Sequence, residues 1–201
     1  MEGWDRVSAR QKILGRVKAA LKDRQTTELP GPFQAWRPVA PAETPVDGFA
    51  LLLQAAGGEV VRQPNIDAAA AWLTEFTTNF DTATVGKTVP GKLTPALKCS
   101  APEIAPLGVS MARGAIAETG SLMMDARDGR RSQLLAPTHV VFVHARDVYA
   151  TFHEALSNAR DDLPSAIGLH SGPSKSADIG QVMVRGVHGP ARLIAVVIGG
   201  D

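Results

Sequence analysis

Three stretches of this chain combine residue types that could do chemistry. The first is Ala117-Glu118-Thr119-Gly120-Ser121, a single carboxylate with two hydroxyls and a glycine between apolar runs. A carboxylate so placed is either an acid, base or nucleophile, or the polar corner of a hairpin, and the residue types leave both readings open. The second is Ser171-Gly172-Pro173-Ser174-Lys175-Ser176-Ala177-Asp178-Ile179. Its hydroxyls, lysine and permissive glycine could cradle an oxyanion or a phosphate, with Asp178 capping a turn or facing a substrate hydroxyl. It leads into Gly186-Val187-His188-Gly189-Pro190, where His188 is the imidazole best placed for proton transfer or ligand binding. The third is Gly86-Lys87-Thr88, a charge and a hydroxyl after a strand-like run. It is no P-loop, because Asp81 occupies the position of the required upstream glycine.

Glu118 and His188 are therefore the candidates for proton handling. Lys87, Thr88, Thr119, Gly120, Ser121, Gly172, Ser174, Lys175 and Asp178 are the candidates for holding a small anion. No metal site is expected: His139 and His144 bracket an apolar strand, His153 follows Phe152 on a helix, and neither HExxH spacing nor a carboxylate-rich loop occurs. Ser121 is not in a G-x-S-x-G elbow, so a hydrolase triad has no support.

For loops to act, elements must carry them. Ser8 and Gln11 have capping-box spacing ahead of Ile13, Leu14, Val17 and Leu21, which predicts a helix ending near Lys22. Its basic face, with Arg10, Lys12, Arg16, Lys18 and Lys22, reads as the solvated side of a docking helix, since no aromatic interleaving or recognition motif accompanies it. Five prolines between Gln25 and Pro45 exclude helix and central strand, leaving a connector that Phe33 and Trp36 would pin by packing. The domain boundary therefore falls between an arm, 1–45, and a body, 46–201.

From Pro45 onward helix and strand patterns alternate. Phe49 to Ala56 reads as a helix stopped by Gly57-Gly58, Glu59 to Val61 as a strand, and Asn65 as the cap of a helix reaching Phe80. Strands are predicted at 82–85, 107–109, 114–117, 121–124, 139–143, 166–169 and 193–198, with a helix from Val148 to Leu156. The β-α-β order requires crossovers and a mostly parallel sheet, with an antiparallel excursion near 114–135.

Composition bounds the function. Two hundred and one residues suffice for one well-cored domain with an arm. Twenty-one basic against twenty acidic side chains give +1, so no net field draws the molecule to nucleic acid or an anionic membrane. Cys99, the only cysteine, can neither form an internal disulfide nor hold an iron–sulfur cluster. A charged N-terminus and the absence of a long apolar run predict a cytoplasmic protein without a membrane span.

The stretch Ala115-Ile116-Ala117-Glu118-Thr119-Gly120-Ser121-Leu122, followed by Gly172 to Ile179 and Gly186 to Pro190, resembles the paired signatures of the LUD-domain family. The resemblance covers roughly residues 46 to 198, and the basic helix with its proline-rich connector is similar to the arm of the family's lactate-utilisation branch. The usual pattern has Thr at the place of Ser176, which keeps a hydroxyl, and Glu at the place of Gly180, which removes a carboxylate. The resemblance implies a NagB/RpiA/CoA-transferase-like α/β fold with a mostly parallel sheet flanked by helices. It also implies work beside two iron–sulfur proteins in oxidising L-lactate to pyruvate, the clusters belonging to those partners and no cofactor to this chain. The rival reading is a stand-alone enzyme on the same fold, acting on a phosphorylated or CoA-linked small molecule. Glu118 would then be the nucleophile, by loose analogy with CoA transferases.

Overall fold

The computed structural model describes residues 8–22, 24, 42–177 and 183–200. The chain divides into two compact units, Met1–Arg37 and Pro38–Asp201. In the first, α1 (Ala9–Leu21) begins with the expected capping box: Ser8 accepts from the Gln11 amide, and the Gln11 side chain accepts from the Ser8 amide at 3.0 Å. None of its residues is buried, and Ile13, Leu14, Val17 and Leu21 are all exposed. Phe33 and Trp36 lie outside the described residues.

In the second unit, α2 (Pro45–Ala55) starts where Thr44 accepts from the Asp47 amide and Pro45 supplies a first-turn residue needing no donor. It ends where Gly57 takes φ +90° and donates to Gln54, with Gly58 donating to Leu53. Strand β1 (Glu59–Gln63) follows, then α3 (Ile66–Phe76), capped by Asn65 accepting from the Ala68 amide at 2.9 Å. Helix α3 stops short of Phe80: a 3-10 turn over Thr77–Asn79 tightens its end and Phe80 is extended. The chain continues through β2 (Thr82–Val85), β3 (Lys98–Cys99), β4 (Leu107–Met111), β5 (Gly114–Ile116), β6 (Ser121–Asp125), α4 (Arg130–Leu134) and β7 (Thr138–His144). It closes with β8 (Val148–Tyr149), α5 (Phe152–Ala159), β9 (Ile167–His170), β10 (Lys175–Ala177), β11 (Met183–Arg185) and β12 (Arg192–Ile198). Val148, expected in a helix, is a strand residue, because it pairs with Ala115 before Thr151 caps α5.

The central sheet runs β1-β12-β7-β4-β2-β3, and every neighbouring pair in it is parallel. Its inner strands β7 and β12 are covered on both faces, which is why they read as continuous apolar runs. Val140 and Phe142 of β7 and Ile194 and Val196 of β12 pack on Ala69 and Leu73 of α3. The alternate residues Val141, Val143, Leu193, Ala195 and Val197 pack on Phe49 and Leu53 of α2 and on Ala115, Leu122 and Met124. A slip of one residue would exchange these two faces.

The expected α/β architecture with a mostly parallel sheet is present. One face, however, is covered largely by a second sheet, β8-β5-β6-β9, in addition to α2. The antiparallel excursion anticipated near 114–135 is the β5–β6 hairpin of that sheet. Strands β10 and β11 form a separate antiparallel hairpin.

Candidate functional site

The Glu118 loop joins β5 to β6. Its glycine is obligatory, since Gly120 has φ +61° and a Cβ there would lie 2.5 Å from the Leu53 amide nitrogen of α2. Glu118 is half-buried, and its Oε1 accepts from the Phe152 amide at 2.6 Å, the first residue of α5. A carboxylate at a helix N-terminus satisfies an orphan donor and opposes the helix dipole. Glu118 thus ties the hairpin corner to α5, and neither Lys87 nor Lys175 is its partner.

Ser121 links this loop to the second stretch. Its hydroxyl donates to Thr119 Oγ1 at 2.8 Å and shares a 2.6 Å hydrogen bond with Ser171 Oγ. The backbone then turns through Gly172, at φ +124°, where a Cβ would come within 3.0 Å of the Ala56 carbonyl. Ser174 connects onward: its amide donates to Pro190, its carbonyl accepts from Gly186, and its Oγ accepts from the His188 amide at 3.4 Å. Lys175 Nζ donates to the Ala56 carbonyl at the end of α2, where a cation complements the helix dipole. The structure therefore brings Thr119, Gly120, Ser121, Gly172, Ser174, Lys175 and His188 into one continuous set of contacts around the end of α2. Asp178 lies outside the described residues.

Lys87 and Thr88 belong to a different place. The Thr88 amide and hydroxyl each donate to Asp128 Oδ1 at 2.8 Å, and the Lys87 amide donates to the Asp128 carbonyl. The loop does hold an anion, but the anion is the chain's own Asp128 carboxylate. Asp128 follows the Asp125 end of β6, whereas Ser121 begins that strand, and a strand of five residues separates its ends by about 13 Å. The buried Gly86 leaves the space this carboxylate fills.

Beside Asp128 lies an ion-pair network. Asp125, nearly buried, accepts from the Arg127 amide and guanidinium and from Arg113 at 3.4 Å. Arg127 and Arg113 also reach Asp162, at 2.7 and 3.0 Å. Hydrogen bonds from Arg127 hold Asp125 below the usual carboxylate range, and those from Arg127 and Arg113 hold Asp162 at about 2.

Between the two sheets sits a histidine to which the sequence assigned no site role. His139 is fully buried and shares a 3.0 Å hydrogen bond through Nε2 with the equally buried Ser110 Oγ. The His170 ring meets it edge-on, with centroids 6.1 Å apart. Burial, aided by the neighbouring His170, pushes His139 down to about 3, and burial also lowers His170. His139 is accordingly neutral near pH 7. A hydroxyl–imidazole pair of this kind could activate a nucleophile, yet with both groups sealed from solvent it has no substrate access. Among the described residues, no three His, Cys, Asp or Glu side chains converge as metal ligands.

Sequence reasoning did not single out Asp128, Ser110 or Arg185, and Ser171 entered it only as the head of the second stretch, outside the candidate anion-holding residues. Only the hairpin register carries a signal for Arg185, because it pairs directly with Lys175.

Comparison with known proteins converges with this geometry. The LUD domain family model matches residues 103–198, the span holding the Glu118, Ser174 and His188 loops. An uncharacterized protein of Neisseria meningitidis serogroup B is 30% identical over 132 residues, covering 63% of this chain and 46% of the relative. Lactate utilization protein C of Shouchella clausii is 34% identical over 103 residues, covering 48% and 45%. The Deinococcus radiodurans protein of the same name is 37% identical over 92 residues, covering 42% of each chain. In each case the match spans less than half of the relative's own length. A DUF162 family crystal structure from Deinococcus radiodurans superposes with a TM-score of 0.60 at 18% identity, covering 77% of this chain and 96% of that one, which shows a shared fold. By these likenesses residues 103–198 match the LUD domain family model, and the chain is similar to proteins named lactate utilization protein C.

Proposed function

We propose that this chain is the cluster-free component of an L-lactate utilisation system, working in the cytoplasm with two iron–sulfur partner proteins that oxidise L-lactate to pyruvate. What carries the reading is the chain's similarity to proteins named lactate utilization protein C; the LUD domain match at residues 103–198, which holds the Glu118, Ser174 and His188 loops, supports it. The cysteine count supports the division of labour: clusters need several thiolates, and Cys99 is alone. Among the described residues no helix is long and apolar enough to cross a membrane. The chain's own contribution is a small-anion site made by Ser121, Gly172, Ser174, Lys175 and His188. The rival glutamyl-nucleophile reading is weakened by the engagement of Glu118 with the α5 amide.

The test is purification of the tagged protein from its native cells grown on L-lactate, with bound proteins identified and iron measured. Recovery of two cysteine-rich partners with stoichiometric iron is expected. Recovery of the chain alone and iron-free, while those partners are expressed, refutes the assignment.

A further inference from the structure

We propose that Lys175 and Arg185 together clamp a small oxyanion, a carboxylate or a phosphate group, at the carboxyl end of α2, which makes Arg185 a binding residue. This deepens the anion-site reading above and rests on it for the identity of the site, while the clamp itself stands on charge and register.

In the antiparallel β10–β11 ladder Lys175 and Arg185 are direct partners. Their charged ends converge: Lys175 Nζ and one Arg185 guanidinium nitrogen lie 3.5 and 3.6 Å from the point where a Gly57 Cβ would sit, so they are within about 7 Å of each other. Like charges facing each other across a ladder destabilise it, and such a pairing calls for a counter-charge. The chain supplies little. Lys175 donates to the Ala56 carbonyl, so the α2 terminus offers roughly half a negative charge against two positive ones. Glu59, two residues beyond Gly57, is taken by Arg192 at 2.6 and 2.8 Å, and Glu118 by the Phe152 amide. Among the described residues neither cation has a carboxylate partner, and both are exposed to solvent. The surplus is positive and accessible.

The geometry suits a small oxyanion. An acceptor group taking one N–H from each cation at about 2.8 Å bridges a gap of this size. Gly57 and Gly172 have positive φ and no side chain to obstruct the approach, and a Cβ at Gly172 would press on Ala56. Ser174, one residue from Lys175, adds a hydroxyl on the same hairpin. Arginine's fork can hold a carboxylate bidentately while the lysine acts as a point charge.

The experiment is calorimetric titration of the full-length protein at low ionic strength with two probes, L-lactate and inorganic phosphate, repeated with Arg185→Gln and Arg185→Lys. Arg185 is the position to change because Lys175 also caps α2. Wild-type protein is expected to bind at least one probe, more weakly as salt rises. R185Q should lose about tenfold or more of that affinity, the loss of one charge-assisted bond, and R185K should recover part of it. Preference for L-lactate identifies a carboxylate ligand, and preference for phosphate identifies a phosphoryl group. The melting temperature of R185Q without anion provides a second reading: relief of the like-charge pair should leave it equal to or above wild type. Absence of binding by either probe, or unchanged affinity in folded R185Q, overturns the clamp. Loss of affinity in R185Q together with failure to recover iron–sulfur partners leaves the clamp intact and removes the lactate-system reading.

Discussion

Buried neutral His139 makes the fold sensitive to acid in a calculable way. In the unfolded chain its imidazole titrates near 6.5, whereas in the folded protein burial between the sheets delays protonation to about 3. Between these values unfolding takes up a proton, so stability falls as pH drops from neutral towards 3. At pH 4.5 the unfolded form is favoured by about 2.7 kcal/mol relative to pH 7 from this residue alone, since each unit of separation is worth about 1.4 kcal/mol. His170, lowered by burial and facing the same ring, acts in the same direction. Among the described residues, the hydrogen-bond and ring partners of His139 are the Ser110 hydroxyl of β4 and His170 of β9, and neither supplies a negative charge to hold an imidazolium. The assay is urea unfolding at a series of pH values for the wild type and His139→Phe. The variant should be less stable at neutral pH by about 1–3 kcal/mol, because the Ser110 hydroxyl loses its partner inside the core. It should also lose about 2–3 kcal/mol less than wild type between pH 7 and 4.5. Parallel pH curves for the two proteins would refute the reasoning.

Further outcomes follow from other contacts. Gly86→Ala places a methyl within 2.1 to 2.4 Å of the Asp128 carboxylate atoms, and it should cost about 1–3 kcal/mol in chemical unfolding while displacing Thr88. Asp125→Asn removes the charge shared by Arg127 and Arg113 and should cost about 1.5–3 kcal/mol. Because Asp162 is held near 2 and Asp125 below its usual range, that loss should stay constant from pH 8 to pH 5, and a loss confined to alkaline pH would contradict it. Glu118→Ala deletes the acceptor for the Phe152 amide and should destabilise by about 1 kcal/mol, whereas Glu118→Gln should retain most of that. Equal effects of the two, read by thermal unfolding, would mean that charge rather than the hydrogen bond matters there.

Local chemistry was enough to read several features from the chain. Ser8 with Gln11, Asn65 with the run behind it, and Gly57-Gly58 after an apolar helix mark their element ends because caps act within three or four residues. The apolar runs 139–143 and 193–198 announce strands buried on both faces, and their alternation with helices implies a parallel sheet. Charge balance and a single cysteine likewise follow from counting. Tertiary structure alone decided which loops meet. Ser121 reaches Ser171 and Ser174 reaches His188, while Lys87 and Thr88 close on Asp128, forty residues away in sequence, because the order of strands places β6 between those two ends. The same holds for His139: its residue type says only that it can titrate, and its neutrality comes from a second sheet laid over the first. Lys175 and Arg185 are ten positions apart with nothing periodic between them, and only the hairpin register sets their charges face to face. Long-range pairing of this kind depends on which backbone donors find which acceptors, and no local pattern encodes that choice.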